Sequence, residues 1–142
     1  MFHNTHFTIA LHVLTALAHR QGETLTSAEL AQSVGTNPAF LRGLLGRLKA
    51  ADLIEVSLGK GGGARLRRAP AAISLEDVYD AVQEGPAMHK HTCTAEVCEV
   101  ARGMGPVLAR LEANLEGAVR TRLAGQTVAD VLRQVRRGPR RP

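Results

Sequence analysis

Two closely spaced helix-start signals with a glycine between them constrain this chain more than any other feature. Thr26 and Glu29 have the spacing of a capping box, in which each side chain caps a backbone N–H at the start of a helix. Asn37 and Pro38 form a second start, because asparagine caps well and proline suits the first helical position. Gly35 breaks the chain between them. Two short helices joined by a tight glycine turn predict a helix-turn-helix.

The second of these helices is amphipathic. Its apolar residues recur at helical spacing and are Phe40, Leu41, Leu44, Leu45 and Leu48. Thr36, Asn37, Arg42 and Arg47 supply polar and basic groups on the other side. Asparagine and arginine can form paired hydrogen bonds to the edges of adenine and guanine. A helix that reads a DNA groove is one interpretation, and an ordinary helical hairpin inside a core is the alternative.

A β-hairpin is predicted directly after this helix. Residues 53–58 alternate between apolar and polar, residues 59–64 form a glycine-rich turn, and residues 65–68 read as the return strand. A hairpin in this position is a wing, whose glycines let backbone N–H groups approach phosphates while Lys60 reaches a minor groove or a phosphate. A nucleotide-binding loop is disfavoured, because the Gly-Lys-Ser/Thr ending of a P-loop is missing.

Positive charge is concentrated in the same region. The net charge is +5, and residues 36–68 hold seven cations against two acids, whereas residues 74–84 hold four acids. A local basic patch predicts contact with phosphate, although a solvated basic surface is the alternative. The residues predicted to contact DNA are Thr36, Asn37, Pro38, Phe40, Arg42, Arg47, Lys60, Gly61, Gly62, Gly63 and Arg65.

The composition favours a mainly helical protein. The chain is 44% hydrophobic but only 3% aromatic, so its core is expected to be aliphatic. No apolar run approaches the roughly 20 residues of a membrane span, and the N-terminus lacks the features of a signal peptide. We therefore expect a cytoplasmic protein with no membrane partner.

Three more helices are predicted after the wing. Ser74 caps the first of them, and residues 85–104 read as irregular. Pro106 is predicted to open the longest helix, Gly125 to end it, and a short helix to follow at 127–136. The long helix has an apolar stripe formed by Val107, Leu108, Leu111, Leu115, Val119 and Leu123. Since a small winged domain cannot cover this stripe, we expect a homodimer interface, with packing inside one chain as the alternative.

These elements divide the chain into four segments. The expected segments are a winged helix-turn-helix domain (1–84), a cysteine-containing loop (85–104), the dimerisation helix with the C-terminal helix (105–137), and a disordered basic tail (138–142). The predicted fold class is thus mainly α, with a two-stranded β wing and a long C-terminal dimerisation helix.

Several stretches together resemble the Rrf-two family of bacterial transcription regulators. The matching stretches are 7–14, 25–31, 36–42, 59–63 and 73–82. The resemblance implies a winged helix-turn-helix dimer with crossed long helices, in which the helix from Asn37 enters the major groove and the wing reaches the minor groove. Some relatives have arginine in the strand leading into the wing, where this chain has Leu58. Lys60 is then expected to take over the wing contact.

The chain has two cysteines, Cys93 and Cys98, in the loop before the long helix. Cluster-binding relatives of the Rrf-two family carry three in that loop. We favour no cofactor, and two alternatives stay open. One is thiol redox chemistry, with His89, Lys90 and His91 as neighbours that would lower a thiol pKa. The other is an iron–sulfur cluster or zinc held by both cysteines with His89 and His91.

The expected function is a sequence-specific DNA-binding transcription regulator. It would be a repressor that binds double-stranded DNA as a homodimer on a palindromic operator, and a response to redox state or metal through Cys93 and Cys98 stays open. An enzyme is disfavoured, because no nucleophile–base pattern is present. The alternative is a protein–protein adaptor that keeps the winged fold without reading DNA, and the basic residues 42, 47 and 60 count against it.

Overall fold

The computed structural model describes residues 5–92 and 98–138. In chain order the elements are α1 (His6–His19), α2 (Ser27–Val34), α3 (Pro38–Ala50), β1 (Ile54–Ser57), β2 (Gly63–Leu66), a short 3-10 helix (Pro70–Ala72), α4 (Leu75–Val82), α5 (Glu99–Ala124) and α6 (Val128–Arg137). This confirms a mainly helical fold with a two-stranded antiparallel wing. Residues 93–97 and 139–142 lie outside the described residues. Cys93 and all but the first residue of the predicted basic tail are therefore not placed.

The predicted caps of the helix-turn-helix are confirmed. The hydroxyl of Thr26 accepts a hydrogen bond from the Glu29 backbone N–H at 3.2 Å, and the Glu29 carboxylate accepts one from the Thr26 N–H at 2.8 Å. Gly35 ends α2 in the left-handed region with a φ of 78°, which glycine adopts without a steric penalty. Asn37 caps α3 by accepting a bond from the Ala39 N–H at 2.7 Å.

The core is aliphatic and lies around α1. Val13 and Leu14 of α1 are fully buried, and they share one apolar cluster with Leu30, Leu41, Leu48, Val78 and Val128 of the surrounding helices. Residues near the C-terminus belong to this core as well. The Val128 N–H donates to the Ile73 carbonyl at 3.0 Å, so α6 packs beside the start of α4 and against α1. The sequence grouped α6 with the long helix, whereas its packing joins it to the N-terminal half.

The return strand of the wing begins earlier than predicted. It spans Gly63–Leu66 rather than 65–68, with Ser57 opposite Gly63 and Ile54 opposite Leu66. The reason is a second set of partners: the backbones of Leu25 and Ala64 exchange two hydrogen bonds, at 2.9 and 2.7 Å. These bonds fix the wing to the segment before α2, and burial of Ala64 completes the contact.

The long helix also begins earlier than predicted. It starts at Glu99 instead of near Pro106, because the thiol of Cys98 caps it by accepting a bond from the Ala101 N–H at 3.3 Å. Pro106 lies inside the helix, where it has no N–H to offer to the carbonyl of Arg102. Both residues are exposed, so water can satisfy that carbonyl. The predicted end at Gly125 is confirmed.

Charged contacts attach α5 and the loop before it to the rest of the chain. The Arg120 guanidinium bonds to Asp80, lies 3.7 Å from Glu76, and is 5.4 Å from the centre of the Tyr79 ring. Its hydrogen bond to Asp80 raises the pKa of Arg120. Lys90 pairs with Glu112 at 2.5 Å and lowers the pKa of that carboxyl group. No helix in residues 5–92 or 98–138 is long and apolar enough to cross a membrane.

Candidate nucleic-acid interface

The start of α3 presents small polar groups next to an open surface. Asn37 and Pro38 are exposed, and Thr36 is half-buried. The Asn37 side-chain oxygen accepts the Ala39 N–H, which leaves its second lone pair and both amide hydrogens for another partner. Paired bonding of Asn37 to adenine, as the sequence suggested, is therefore compatible with this cap in its hydrogen-bonding capacity.

The two arginines of α3 differ in their surroundings. Arg42 is exposed and makes no ion pair within the described part of the chain. Arg47 bonds to Glu84, whose other carboxylate oxygen lies 3.8 Å from the imidazole of His6. The ring of His6 stacks on Phe40 with 5.2 Å between ring centres. Arg42 is thus immediately available to DNA, whereas Arg47 must exchange a carboxylate for a base or phosphate.

Glycine shapes the tip of the wing. Gly59 and Gly61 have positive φ values of 86° and 79°, which a side chain would strain. A Cβ at Gly62 would lie 2.4 Å from the Ser57 carbonyl oxygen, so the turn closes too tightly for any other residue there. Lys60 is exposed at this tip. The predicted wing is present, and the glycine run has a steric explanation.

The strands of the wing carry arginines that are already paired. Arg65 lies opposite Glu55 in the sheet, and their side chains form an ion pair at 2.8 Å. Arg67 pairs with Asp52 at 3.1 Å. A carboxylate at this distance competes with phosphate for a guanidinium. Of the predicted cations of the wing, Lys60 is therefore better placed than Arg65 to meet DNA.

A cleft of about 390 Å³ separates α3 from the wing. Arg42 and Lys49 line its α3 side, Leu58 and Gly59 line its wing side, and Thr26 lies at the start of α2. The structure therefore places Arg42 beside the wing glycines Gly62 and Gly63, which the sequence also predicted to contact DNA. It adds Lys49, which follows Arg42 by two helical turns and so shares its face. That spacing was present in the sequence and could have identified Lys49.

The candidate cysteine site is not assembled by the described residues. Cys98 is exposed and caps α5, and His89 and His91 are exposed in the preceding loop. Within residues 5–92 and 98–138, no three histidine, cysteine or acidic side chains come together as a possible metal site. Cys93 lies outside these residues. The ammonium of Lys90 is paired with Glu112.

The predicted dimer residues of α5 separate into two groups. Val107, Leu111 and Leu115 are 56%, 45% and 43% exposed and lie on one side of the helix. The others, Leu108, Val119 and Leu123, are half-buried within the single subunit. Val100, which is 67% exposed, extends the first group. The sequence missed it because its position was assigned to a loop.

Comparisons with known proteins agree with this architecture. Residues 3–134 match the model of the Rrf2 family, described as iron-dependent transcriptional regulator. YwnA of Bacillus subtilis (strain 168), named as an HTH-type transcriptional regulator, is 31% identical over 130 residues, which are 91% of this chain and 96% of YwnA. A solved transcriptional regulator from Lactobacillus plantarum superposes with a TM-score of 0.82 at 25% identity, covering 94% of this chain and 91% of that one. The T. potens IscR structure shares the fold, with a TM-score of 0.73 at 17% identity, covering 100% of this chain and 94% of that one.

Proposed function

Because this chain belongs to the Rrf2 family of DNA-binding transcriptional regulators, which are not enzymes, we propose that it is a homodimeric repressor acting on a two-fold symmetric operator. The observation that carries the proposal is the cleft between α3 and the wing, with unpaired Arg42 on one wall and the wing backbone on the other. Occupying a promoter is enough for repression, so the proposal needs no activity beyond binding DNA. Such a regulator works at the chromosome, which in a bacterium lies in the cytoplasm.

In the proposed complex, the cleft between α3 and the wing straddles one DNA strand. A helix in the major groove and a wing in the adjacent minor groove are separated by a ridge of phosphates. In this docking, α3 offers Arg42 to base edges, Lys49 faces the phosphate ridge, and Lys60 reaches the far side. Arg47 joins them after exchanging Glu84 for DNA.

The dimer is supported by the exposed apolar side of α5. Val100, Val107, Leu111 and Leu115 form a stripe in a helix that has no fully buried residue. Exposing such a stripe to water is unfavourable, and a second copy related by a two-fold axis covers both stripes at once. Two copies would place two α3 helices on successive turns of DNA, which matches a palindromic site. We keep the division into a DNA-binding part and a dimerisation helix as part of this proposal.

Selection from a library of random-sequence duplexes tests the proposal. We expect the protein to enrich a palindrome, and affinity for it to fall steeply with salt because binding displaces counterions. Arg42→Ala should weaken binding to the palindrome by about tenfold or more and relax preference at one base pair. Lys60→Ala should weaken binding more evenly across sequences. Flat binding to all duplexes, unchanged by Arg42→Ala, would point to the adaptor alternative.

For the loop before α5, we propose that no cofactor is bound. Two observations support this proposal: the chain has only two cysteines, and one of them, Cys98, caps a helix. The family model's description as iron-dependent supports the opposite view. An ultraviolet–visible spectrum of anaerobically purified protein, with metal analysis, separates them. We expect a colourless protein without stoichiometric metal, and visible charge-transfer bands or bound zinc would refute this.

Thiol chemistry at the same loop has its own test. DNA affinity is measured before and after peroxide treatment for the wild type, Cys93→Ser and Cys98→Ser. A loss of affinity in the wild type that either serine variant prevents would establish a thiol switch. Equal affinities in all samples would exclude it.

A further inference from the structure

Leu58 is the most exposed large apolar side chain in the described part of the protein. It is 95% exposed, at the point where the wing leaves β1 and enters its turn. The exposed apolar residues of α5 are covered in the proposed dimer. Leu58, on the wing, is not part of that proposed interface. Keeping a leucine fully in water forgoes the free energy of burial. Its exposure at the wing tip leaves it free to contact a partner outside the subunit.

The wing holds Leu58 in this position. The turn is closed by a hydrogen bond from the Gly62 N–H to the Gly59 carbonyl at 3.0 Å, and a Cβ at Gly62 would lie 2.4 Å from the Ser57 carbonyl oxygen. In the strand next to the turn, the backbones of Leu25 and Ala64 exchange two hydrogen bonds. The turn and the strand beside it are thus held by backbone hydrogen bonds within the subunit. A contact by Leu58 requires little further ordering of the backbone, which favours binding.

The chemistry of the wing tip is half cationic and half apolar. Arg65 of β2 and Arg67 just after it are paired with Glu55 and Asp52. The tip therefore offers one ammonium, on Lys60, and one aliphatic group, on Leu58. A guanidinium reads a narrow minor groove through its negative potential. An aliphatic side chain instead contacts deoxyribose and base edges, and it is accommodated where a base step opens easily.

We propose that Leu58 is a specificity-determining residue that enters the DNA minor groove as an apolar wedge. The inference rests on the proposed function, since it requires DNA in the cleft between α3 and the wing. Leu58 lines that cleft together with Arg42 and Lys49. With Arg42 at base edges and the phosphate ridge against Lys49, the leucine faces the sugars of the neighbouring minor groove. The wing then favours flexible pyrimidine–purine steps over stiff A-tracts.

Salt dependence distinguishes this contact from an electrostatic one. Burial of an apolar group releases no counterions, whereas each phosphate contact adds about one unit to the slope of log affinity against log salt. Leu58→Ala should therefore weaken binding to the selected palindrome by about tenfold with no change in that slope. Lys60→Ala should lower the slope by about one unit. Val135→Ala is the matched control, because Val135 is also highly exposed but lies on α6, away from the cleft.

Repeating the duplex selection with Leu58→Arg is the second arm of the test. A guanidinium at this position should move the preference under the wing toward A-tracts and steepen the salt dependence. Circular dichroism checks that both variants fold, as expected for a fully exposed site. The wedge is overturned if Leu58→Ala binds as tightly as the wild type, or if Leu58→Arg selects an unchanged sequence. Failure of the whole DNA-binding proposal looks different, since the wild type would then select no sequence.

Discussion

The winged helix-turn-helix region and the long helix are built in different ways. The buried apolar side chains of the described chain lie between residues 10 and 87, joined by Val128 and Leu132 of α6. By contrast, α5 runs from Glu99 to Ala124 with no fully buried residue. The first region completes its own core, whereas the second carries an apolar stripe that its own chain leaves uncovered. One chain thus contains a first region with a complete core and a long helix whose apolar stripe is uncovered.

The contacts between the two regions differ in kind from those within the first region. Inside the first region, aliphatic side chains such as Leu14 and Leu48 pack in one core cluster. Between α4 and α5, the contact includes a charged network around Arg120, whose side chain is about one-third exposed. Exposed ion pairs stabilise weakly compared with a buried leucine. We therefore expect the orientation of α5 to be fixed largely by the second subunit.

Placing a charge on the exposed stripe should have the largest effect. Leu111→Glu would bury two carboxylates at the two-fold interface, so we expect a monomer and a loss of operator affinity of about a hundredfold or more. Sedimentation velocity gives the mass, and a gel shift gives the affinity. Ala113→Glu, an exposed position on another side of α5, should remain dimeric. A dimeric Leu111→Glu protein would show that the stripe is not the interface.

The next largest effects are expected from shortening one leucine side chain to alanine in each region. Leu48→Ala removes a fully buried side chain and should lower the free energy of unfolding by about 2–5 kcal/mol at any protein concentration. Leu115→Ala should have a smaller effect that depends on protein concentration, because its burial requires the partner. Urea unfolding at two protein concentrations tests both. A concentration-independent loss in Leu115→Ala would mean that this residue packs within its own subunit.

Removing the charged network should have a modest effect. Arg120→Met deletes the ion pairs to Asp80 and Glu76 but keeps an aliphatic stem, so we expect a loss of about 1 kcal/mol or less. Thermal unfolding measures the change, and amide hydrogen exchange along α5 should increase while exchange in α1 stays constant. Arg110→Met is the control, since Arg110 is exposed and makes no ion pair within the described residues. Equal protection of α5 in both variants would contradict the idea that Arg120 holds it.

The smallest effect is expected within the first region, between α3 and the end of α4. Glu84 follows α4 and bonds to Arg47 of α3. Glu84→Gln removes the competing carboxylate, so operator affinity should rise by about threefold. The gain should vanish in the double variant with Arg47→Ala, which a double-mutant cycle measures. An unchanged gain in the absence of Arg47 would mean that Glu84 acts by general repulsion of phosphate.

Predictions from the sequence succeeded where the signal was local. The capping box at Thr26, the cap at Asn37 and the glycine turn of the wing each depend on residues a few positions apart. They were less accurate where a distant contact or an unusual cap intervened. The return strand starts at Gly63 because of its bonds to the segment before α2, and α5 starts at Glu99 because a cysteine caps it. Neither partner has a strong pattern in the sequence.

The sequence by itself determined the helix-turn-helix, the wing and the apolar stripe of the long helix, because capping, turn formation and helical periodicity act between neighbouring residues. Only the tertiary structure showed which of the predicted cations are already paired within the described residues. Arg47 and Glu84, like Arg65 and Glu55, meet through folding rather than through adjacency. Since an ion pair depends on the distance between charges in space, the same spacing of arginines in a sequence can produce an accessible cation or an internal ion pair. Arg42 and Lys49 line the cleft beside the wing without an ion pair in the described part of the chain, and Lys60 is exposed at the wing tip.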